Sequence, residues 1–223
     1  MKTCTPFLTL ILLLSLVSCH NVDDFLDHIK EKEEKGKSFK TDEIEPFHLT
    51  LANEHGETPT DPQELVYEAR KGNPVIAPDG HHLTLEEFDA VKGKLKMTCT
   101  PQGTRLNVQL EELIPYATYT LWIIVFKAPG FTPDFAHLIG EGTPGGHEGF
   151  RSFIRAGSNG KATYSELLPK GALSVFGHVE GCLLDEFEVR VIGAYHIDGM
   201  TYGAGPGPDG TYVEQFVWIY KQM

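Results

Sequence analysis

The chain has 223 residues, of which 41% are hydrophobic, 22% charged and 10% aromatic, and this composition excludes a collagen-like or wholly disordered protein. The formal net charge is -12, from 31 acidic residues against 19 Lys and Arg; such a surface repels phosphate, so we expect no nucleic-acid partner. The 23 Gly and 14 Pro residues favour a fold of many short strands over a helical bundle.

The first 18 residues have the pattern of a secretory signal peptide. Lys2 supplies a positive charge, and residues 7–17 form an apolar stretch that is too short to span a bilayer but suits the hydrophobic region of a signal. We therefore predict that residues 1–18 are removed and that the rest of the chain works outside the cytoplasm.

A cysteine follows this segment. The run Leu-Val-Ser-Cys at 16–19 resembles the lipobox of bacterial lipoproteins. The resemblance implies a diacylglycerol group on the Cys19 sulfur and a membrane anchor of several acyl chains, because a single chain binds only weakly. His20, by similarity to enteric sorting rules, indicates the outer membrane of the bacterial cell envelope. The alternative is an ordinary secretory signal in which Cys19 is incidental.

Residues 19–60 predict an acidic tether or linker. Between residues 21 and 45 there are nine acids and five lysines with few apolar residues, so the segment does not offset its ordering entropy by forming a core. We interpret it as a solvated spacer between the lipid and the folded domain. A short exposed helix that binds a partner is the alternative.

Two capping motifs predict helices at the start of the domain, which we place at 61–223. The sequence Asp-Pro-Gln-Glu at 61–64, followed by apolar residues and closed by Gly72, predicts a helix over 62–71. Thr-Leu-Glu-Glu at 84–87 repeats the capping pattern and predicts either a helical turn over 85–91 or an edge strand.

From residue 94 onward, the apolar residues recur with a period of two. Alternation over 94–99 and 105–110 predicts an antiparallel hairpin, and the almost wholly apolar run 119–126 predicts a central strand covered on both faces. Further strand candidates, separated by turn sequences, lie at 150–155, 162–167, 173–177, 188–195 and 212–220. We therefore predict a mainly β protein, an antiparallel β-sandwich with a short N-terminal helix, and keep an eight-stranded barrel as the alternative.

Two cysteines remain in the predicted domain. Cys4 leaves with the signal and Cys19 carries lipid, so Cys99 and Cys182 are two thiols in an oxidising compartment, and we predict a disulfide between them. A reactive Cys182 is the rival interpretation, but no basic neighbour in the sequence lowers the pKa of a thiol there.

Several short motifs are similar to those of a group of uncharacterised secreted bacterial β-domain proteins. They are Asn-Pro at 73–74 with Ala-Pro-Asp-Gly at 77–80, Leu-Ile-Pro at 113–115 with Tyr-Thr-Leu-Trp at 119–122, Gly-Cys at 181–182 and Tyr-His-Ile-Asp-Gly at 195–199. The resemblance covers about residues 73–220. It implies one module with Cys99 paired to Cys182, and it implies no activity.

Histidines suggest one candidate site. His137 and His147 lie in the long Gly/Pro-rich stretch 129–149, and such loops are more often functional than idle. If this loop meets the loop 196–211, His196 completes a set of three imidazoles, the side chains that most often bind transition metals. A metal protein, or an envelope enzyme using these histidines and nearby acids, is therefore our alternative to a protein without a cofactor.

Aromatic residues suggest a second candidate site. Tyr195, Tyr202 and Tyr212 surround the second Gly/Pro-rich loop and predict a platform for a sugar or a peptide. The hydrolase motifs Gly-x-Ser-x-Gly, Ser-x-x-Lys and His-Glu-x-x-His are absent from the sequence. We therefore expect a non-enzymatic binding module whose partner, besides the membrane, is a glycan or an envelope protein.

Overall fold

The computed structural model describes residues 36–145 and 151–222. Within these ranges the chain forms one short α-helix, α1 (Leu85–Asp89), a 3-10 turn at Leu183–Asp185, and a series of strands. In chain order the strands are β1 (Ser38–Thr41), β2 (Glu45–Pro46), β3 (Leu51–Ala52), β4 (Tyr67–Glu68), β5 (Lys92–Thr100), β6 (Gly103–Glu111), β7 (Thr118–Phe126), β8 (Leu138–Gly142), β9 (Phe153–Arg155), β10 (Ala162–Pro169), β11 (Gly171–Ala172), β12 (Phe176–Val179), β13 (Glu188–His196) and β14 (Tyr212–Lys221).

The strands form two main antiparallel sheets. The smaller sheet has the order β1-β5-β6-β10, and the larger has the order β11-β12-β8-β7-β13-β14-β2, with β9 also paired to β7. Strands β3 and β4 form a separate two-stranded pair. This confirms the predicted mainly β, antiparallel sandwich. Because both sheets end in unpaired edges in the described part of the chain, the alternative of a closed eight-stranded barrel is wrong.

A continuous hydrophobic core fills the space between the two sheets. Leu95 and Leu106 of the smaller sheet, and Leu121, Val191 and Trp218 of the larger sheet, are each at most 1% exposed and belong to this core. These residues alternate along their strands with residues of the opposite face, as the period of a strand requires. We call the face of the larger sheet that meets this core its inner face.

The larger sheet is covered on its outer face as well. Every residue of β7 is buried, so the prediction of a doubly covered central strand is confirmed. Trp122, Ile124 and Phe126 of β7 point away from the inner core and form a second apolar cluster with residues of β13 and β14. Partly buried side chains from loops, including Phe47 and Phe135, pack over this cluster.

The predicted disulfide is confirmed. Cys99 near the end of β5 is bonded to Cys182, which directly precedes the 3-10 turn, with 5.5 Å between their Cα atoms. The hydroxyl of Thr104 also donates a hydrogen bond to Cys182 Sγ at 3.3 Å and accepts one from the backbone N–H of Leu183 at 2.8 Å. The bridge therefore fixes the smaller sheet to the segment that leads into β13.

The predicted helix at 62–71 is wrong, although its capping contacts form. The Glu64 carboxylate accepts hydrogen bonds from the backbone N–H groups of Thr60 and Asp61, at 2.7 and 3.0 Å. The chain then becomes extended, because Val66 is fully buried and its backbone bonds to Leu83 and Val75 at 3.0 Å. Burial of this β-branched side chain outweighs the local helical signal.

The short helix of the domain forms at the second capping motif. Thr84 and Glu87 make a complete capping box at the start of α1, and Leu85 and Phe88 are buried. The helical alternative for 85–91 is therefore confirmed in a shorter form, and the edge-strand alternative is wrong. No helix in the described ranges is long and apolar enough to cross a membrane.

The predicted linker extends too far toward the C-terminus. Strand β1 pairs with β5, with Phe39 opposite Met97, and Phe39 packs on the inner core. Residues 50–53 are also buried. This part of the linker folds because its few apolar residues reach the core of a distant segment, which a local count of charges does not detect. Residues 19–35 of the predicted linker lie outside the described ranges.

Candidate functional site

A pocket of about 220 Å³ opens on the outer face of the larger sheet. We call it the outer pocket. Its floor is formed by Trp122 and Ile124 of β7 and Ile192 of β13. The apolar side chains of its walls are Phe47, Leu49, Phe135, Leu138 and Pro206. The polar side chains of its walls are Arg70, Glu141, Tyr212 and Glu214. An apolar pocket with a few convergent polar groups is the usual form of a small-molecule site.

A β-bulge places two of the wall residues. Opposite Gly193 and Ala194, strand β14 carries the extra residue Gln215, whose side-chain amide donates a hydrogen bond to the carbonyl of Phe88. The bulge shifts the alternation of β14, so Tyr212 and Glu214 face the outer pocket while Gln215 and the residue that follows it face inward.

The wall formed by the loop after β7 is held by aromatic packing and one ion pair. The ring of Phe131 lies edge-on to those of Phe126 and Phe135, with centroids 5.7 and 5.3 Å apart. The Arg190 guanidinium lies 3.9 Å from the Phe131 ring and donates to the buried Glu188 carboxylate at 2.7 Å. This packing keeps Phe135 in place at the rim of the outer pocket.

Arg70 is the cation of the outer pocket, and it is engaged by the protein itself. Its guanidinium lies 4.9 Å from the centre of the Tyr212 ring, 3.6 Å from Asp209 and 3.7 Å from Glu214. The Glu214 carboxylate also accepts a hydrogen bond from the Thr50 hydroxyl. Burial nevertheless raises the pKa of Glu214 above its ordinary value, because these partners only partly offset the loss of water.

Glu141 of β8 is the second carboxylate in the wall. The side chain makes no hydrogen bond and no ion pair with the described residues, although it lines the outer pocket. Burial raises the pKa of Glu141, and the negative charge of Glu214 raises it further. The outer pocket therefore contains an uncompensated acid beside an apolar floor.

The three predicted tyrosines do not form one platform. Tyr212 lines the outer pocket, as described above. Tyr195 points to the inner face, is 1% exposed, and donates a hydrogen bond from its hydroxyl to the carbonyl of Ile76 at 2.6 Å. Tyr202 lies outside the pocket lining and donates to Asp198. Because successive strand residues face opposite sides, Tyr195 cannot contact a ligand that Tyr212 contacts.

The predicted three-histidine metal site is wrong for His137 and His196. The His137 carbonyl is bonded to Lys127, just past the end of β7, whereas His196 Nε2 is 2.7 Å from the hydroxyl of Thr120 near its start. These seven residues of strand span ~23 Å, while ligands of one zinc ion each lie ~2.0–2.3 Å from it. His147 lies outside the described residues.

His196 is buried, with its Nε2 atom bonded to Thr120 and its Nδ1 atom without a hydrogen-bond partner among the described residues. The ring is 1% exposed and packs beside Tyr202, with centroids 6.1 Å apart. Burial lowers the pKa of His196 to about 4, although the charge of Asp198 opposes this shift. Over residues 36–145 and 151–222, no group of three or more His, Cys, Asp or Glu side chains is arranged to hold a metal ion.

Arg70 and Glu214 were not identified from the sequence as site residues, whereas Glu141 lies in the stretch 129–149, whose acids were considered together with its histidines. The three residues come from three separate segments, and no local motif joins them. Trp122 is buried and also forms part of the pocket floor. Its indole Nε1 is buried without a hydrogen-bond partner in the described structure. One feature of the sequence could have indicated this pocket floor: the run that forms β7 is apolar on both faces of the strand.

Comparison with known proteins adds little to this description. No protein-family model and no curated protein matches the chain. Among solved structures the chain is similar to the Cu/Zn superoxide dismutase from Brucella abortus, with 14% sequence identity, coverage of 81% of this chain and 97% of that chain, and a TM-score of 0.36. At this identity and TM-score the likeness carries no argument about activity or metal binding.

Proposed function

We propose that this chain is a lipid-anchored protein of the bacterial cell envelope that binds a small organic ligand in the outer pocket without transforming it. The observation that carries the proposal is the outer pocket itself. It has a volume of about 220 Å³ and an apolar floor, and Arg70, Glu141 and Glu214 lie in its wall. Among the described residues that line it there is no Ser, Cys, His or Lys, and of the two carboxylates that could act in catalysis Glu214 is already held by Arg70 and Thr50, which favours binding.

The anchor at Cys19 is supported by the sequence at 16–19 and by the position of the folded domain. Residues 20–36 separate Cys19 from Lys37, where the folded unit begins. A spacer of this length gives the domain room to stand off a lipid surface. The outer membrane is our proposal for the location, on the resemblance that His20 carries.

A labelling experiment tests the anchor. The chain is produced in a Gram-negative bacterium with labelled palmitate, and we expect label and membrane association that are lost in Cys19→Ser. The matched control is Cys4→Ser, which removes a cysteine inside the signal and should keep both. Membrane association of the Cys19→Ser chain would contradict lipid attachment. Absence of label from both the unmodified chain and Cys4→Ser would contradict it as well.

Ligand binding is tested on the mature chain, residues 19–223 carrying Cys19→Ser, because this form needs no detergent that would compete for an apolar pocket. The neutral apolar dye N-phenyl-1-naphthylamine serves as the probe. We expect 1:1 binding with quenching of Trp122, measured in Trp218→Phe, where Trp122 is the remaining tryptophan of the two. In Trp122→Phe the fluorescence of Trp218, buried in the inner core, should respond little.

Two exposed leucines provide the control for location. Leu49 lines the outer pocket and is 50% exposed, whereas Leu65 is 43% exposed and lies away from it. Leu49→Gln should weaken binding of the dye several-fold, and Leu65→Gln should leave it unchanged. Absence of binding, or equal loss in both variants, would count against a ligand site here. A glycan array and mass spectrometry of proteins copurified from membranes test the predicted glycan and envelope-protein partners.

The carboxylates also favour a second candidate, an envelope glycosidase. Many glycoside hydrolases use a pair of carboxyl groups, and Glu141 and Glu214 line one pocket. Thr50 and Arg70 already hold Glu214, so we rank this candidate below binding. Turnover of 4-nitrophenyl glycosides that is lost in Glu141→Gln would replace the first proposal by this one.

A further inference from the structure

We infer that the ligand of the outer pocket is an organic cation: a molecule with an apolar body and an ammonium group that pairs with the Glu141 carboxylate. The inference rests on the proposed function, because it requires that the outer pocket binds a ligand. It assigns to Glu141 the role of the charge that selects the ligand.

The pocket wall carries more negative than positive charge, and a bound cation would balance it. Glu141 and Glu214 contribute two carboxylates, and Arg70 contributes one guanidinium. Arg70 and Glu214 are partners of each other, and Asp209 and Thr50 complete their shell. Glu141 is left without an ion pair or a hydrogen bond to any described residue. A carboxylate at the edge of an apolar cavity is costly to desolvate unless a cation or a donor reaches it.

The aromatic lining favours the same class of ligand. Trp122, Tyr212, Phe47 and Phe135 line the outer pocket, and the negative face of an aromatic ring attracts ammonium groups. The protein already uses one such face for a cation, since Arg70 lies over Tyr212. Aromatic rings close to a carboxylate form the arrangement by which proteins recognise quaternary and primary ammonium ligands.

Anionic and neutral ligands fit the charges less well. An anion would lie beside Glu141 and Glu214, and Arg70, the one guanidinium among the described residues of the pocket wall, is already shared by Glu214 and Asp209. A neutral apolar ligand would remove water from Glu141 without replacing it. The formal net charge of -12 adds a long-range attraction for cations and a repulsion for anions.

Three probes with one apolar body separate these possibilities: 3-phenylpropylammonium, 3-phenylpropan-1-ol and 3-phenylpropanoate. Their affinities are measured at pH 7 on the mature chain carrying Cys19→Ser, by displacement of N-phenyl-1-naphthylamine and by calorimetry. We expect the cation to bind about tenfold tighter than the alcohol, and the anion to bind most weakly, because a charge-assisted contact replaces a neutral one.

Glu141→Gln should reduce the affinity for the cation to that for the alcohol. The matched control is Glu186→Gln, which makes the same change at a partly buried glutamate whose pKa is also raised by burial, but which does not line the outer pocket. It should keep the preference for the cation. Circular dichroism verifies that both variants fold, and Glu141→Asp, which retains the charge, should keep most of the preference.

The outcomes distinguish the two proposals. Equal affinities for the three probes, or an undiminished preference for the cation in folded Glu141→Gln, would overturn the cation inference and leave the outer pocket as a binding site. Failure of the dye and of all three probes to bind would overturn the proposed function itself.

Discussion

The two faces of the larger sheet are both apolar, but they are closed in different ways. The inner face meets a second sheet, and side chains such as Leu121, Val191 and Trp218 are excluded from water completely. The outer face is covered by loop residues, including Phe47 and Phe135, and this cover leaves the outer pocket open over Trp122 and Ile124. A sheet that covers a sheet matches it along its whole length, whereas loops cover only where an apolar side chain happens to reach.

The difference separates stability from function within one strand. Alternate residues of β7 contribute to a sealed core and to a surface that accepts a ligand, so neighbouring positions are subject to different demands. Charged groups follow the same division, because Arg70, Glu141 and Glu214 all lie on the outer side.

The largest effect on stability is expected from the disulfide, which fixes the smaller sheet over the inner face of the larger one. Removing the disulfide with Cys99→Ala and Cys182→Ala should lower the free energy of unfolding by about 4–5 kcal/mol, because the bridge spans 83 residues and restricts the unfolded chain. Guanidinium unfolding measures the difference, and reduction of the wild-type protein should reproduce it. A loss below about 1 kcal/mol would mean that the sheets hold together without the bridge.

A pair of cavity variants compares the two faces directly. Leu121→Ala, on the inner face, should lower the free energy of unfolding by about 3–4 kcal/mol, since it leaves a void that cannot collapse. Ile124→Ala, three residues along β7 at the pocket floor, should cost about 1–2 kcal/mol, because the void merges with an existing opening that water reaches. Equal losses would contradict the distinction between a sealed and an open face.

The buried His196 should make stability depend on pH. Its pKa is lowered to about 4 in the folded protein, from 6.5 ordinarily, so the unfolded chain takes up the proton first as the pH falls. Stability should therefore decrease as pH falls from about 6.5 to about 4, by about 3 kcal/mol in total, and level off below.

Urea unfolding of wild type and His196→Gln between pH 7.5 and pH 4 measures this contribution of His196. The variant should lose the corresponding part of the pH dependence. His178→Gln, at an exposed position of β12, is the matched control and should leave it in place. Identical pH profiles of wild type and His196→Gln would show that the imidazole is not the group responsible.

The smallest effect is expected at the pocket wall. Arg70→Ala removes the contact over Tyr212 and the partner of Glu214, and should lower the free energy of unfolding by about 1 kcal/mol at pH 7. The loss should shrink on acidification, since the variant raises the pKa of Glu214 further and a protonated carboxyl needs no partner. Arg105→Ala, at an exposed site of the smaller sheet, should change stability little at either pH.

The sequence predicted those features that depend on neighbours along the chain. Alternation identified the β5–β6 hairpin, and the continuous apolar run identified β7. The sequence also predicted a helix at 62–71 that does not form. The capping contacts around Glu64 are present, but Val66 pairs with Leu83 in extended conformation. The same limitation left β1 in the predicted linker, since its pairing with β5 joins segments far apart in the chain.

The candidate site was predicted less well than the fold. Of the three tyrosines proposed for it, Tyr212 lines the outer pocket, whereas Tyr195 faces the core on the opposite side of the sheet. Which face a strand residue occupies depends on the bulge at Gln215 and on pairing across β13 and β14. Neither is visible in the local pattern.

The sequence by itself determined the class of this protein, its paired cysteines and its central strand, because composition, cysteine number and periodicity are properties of the chain alone. The tertiary structure decided which side of each strand meets the second sheet, and it brought Arg70, Glu141 and Glu214 to one pocket. Those contacts arise between distant segments, and their energies depend on burial, which exists only once the sheets have packed.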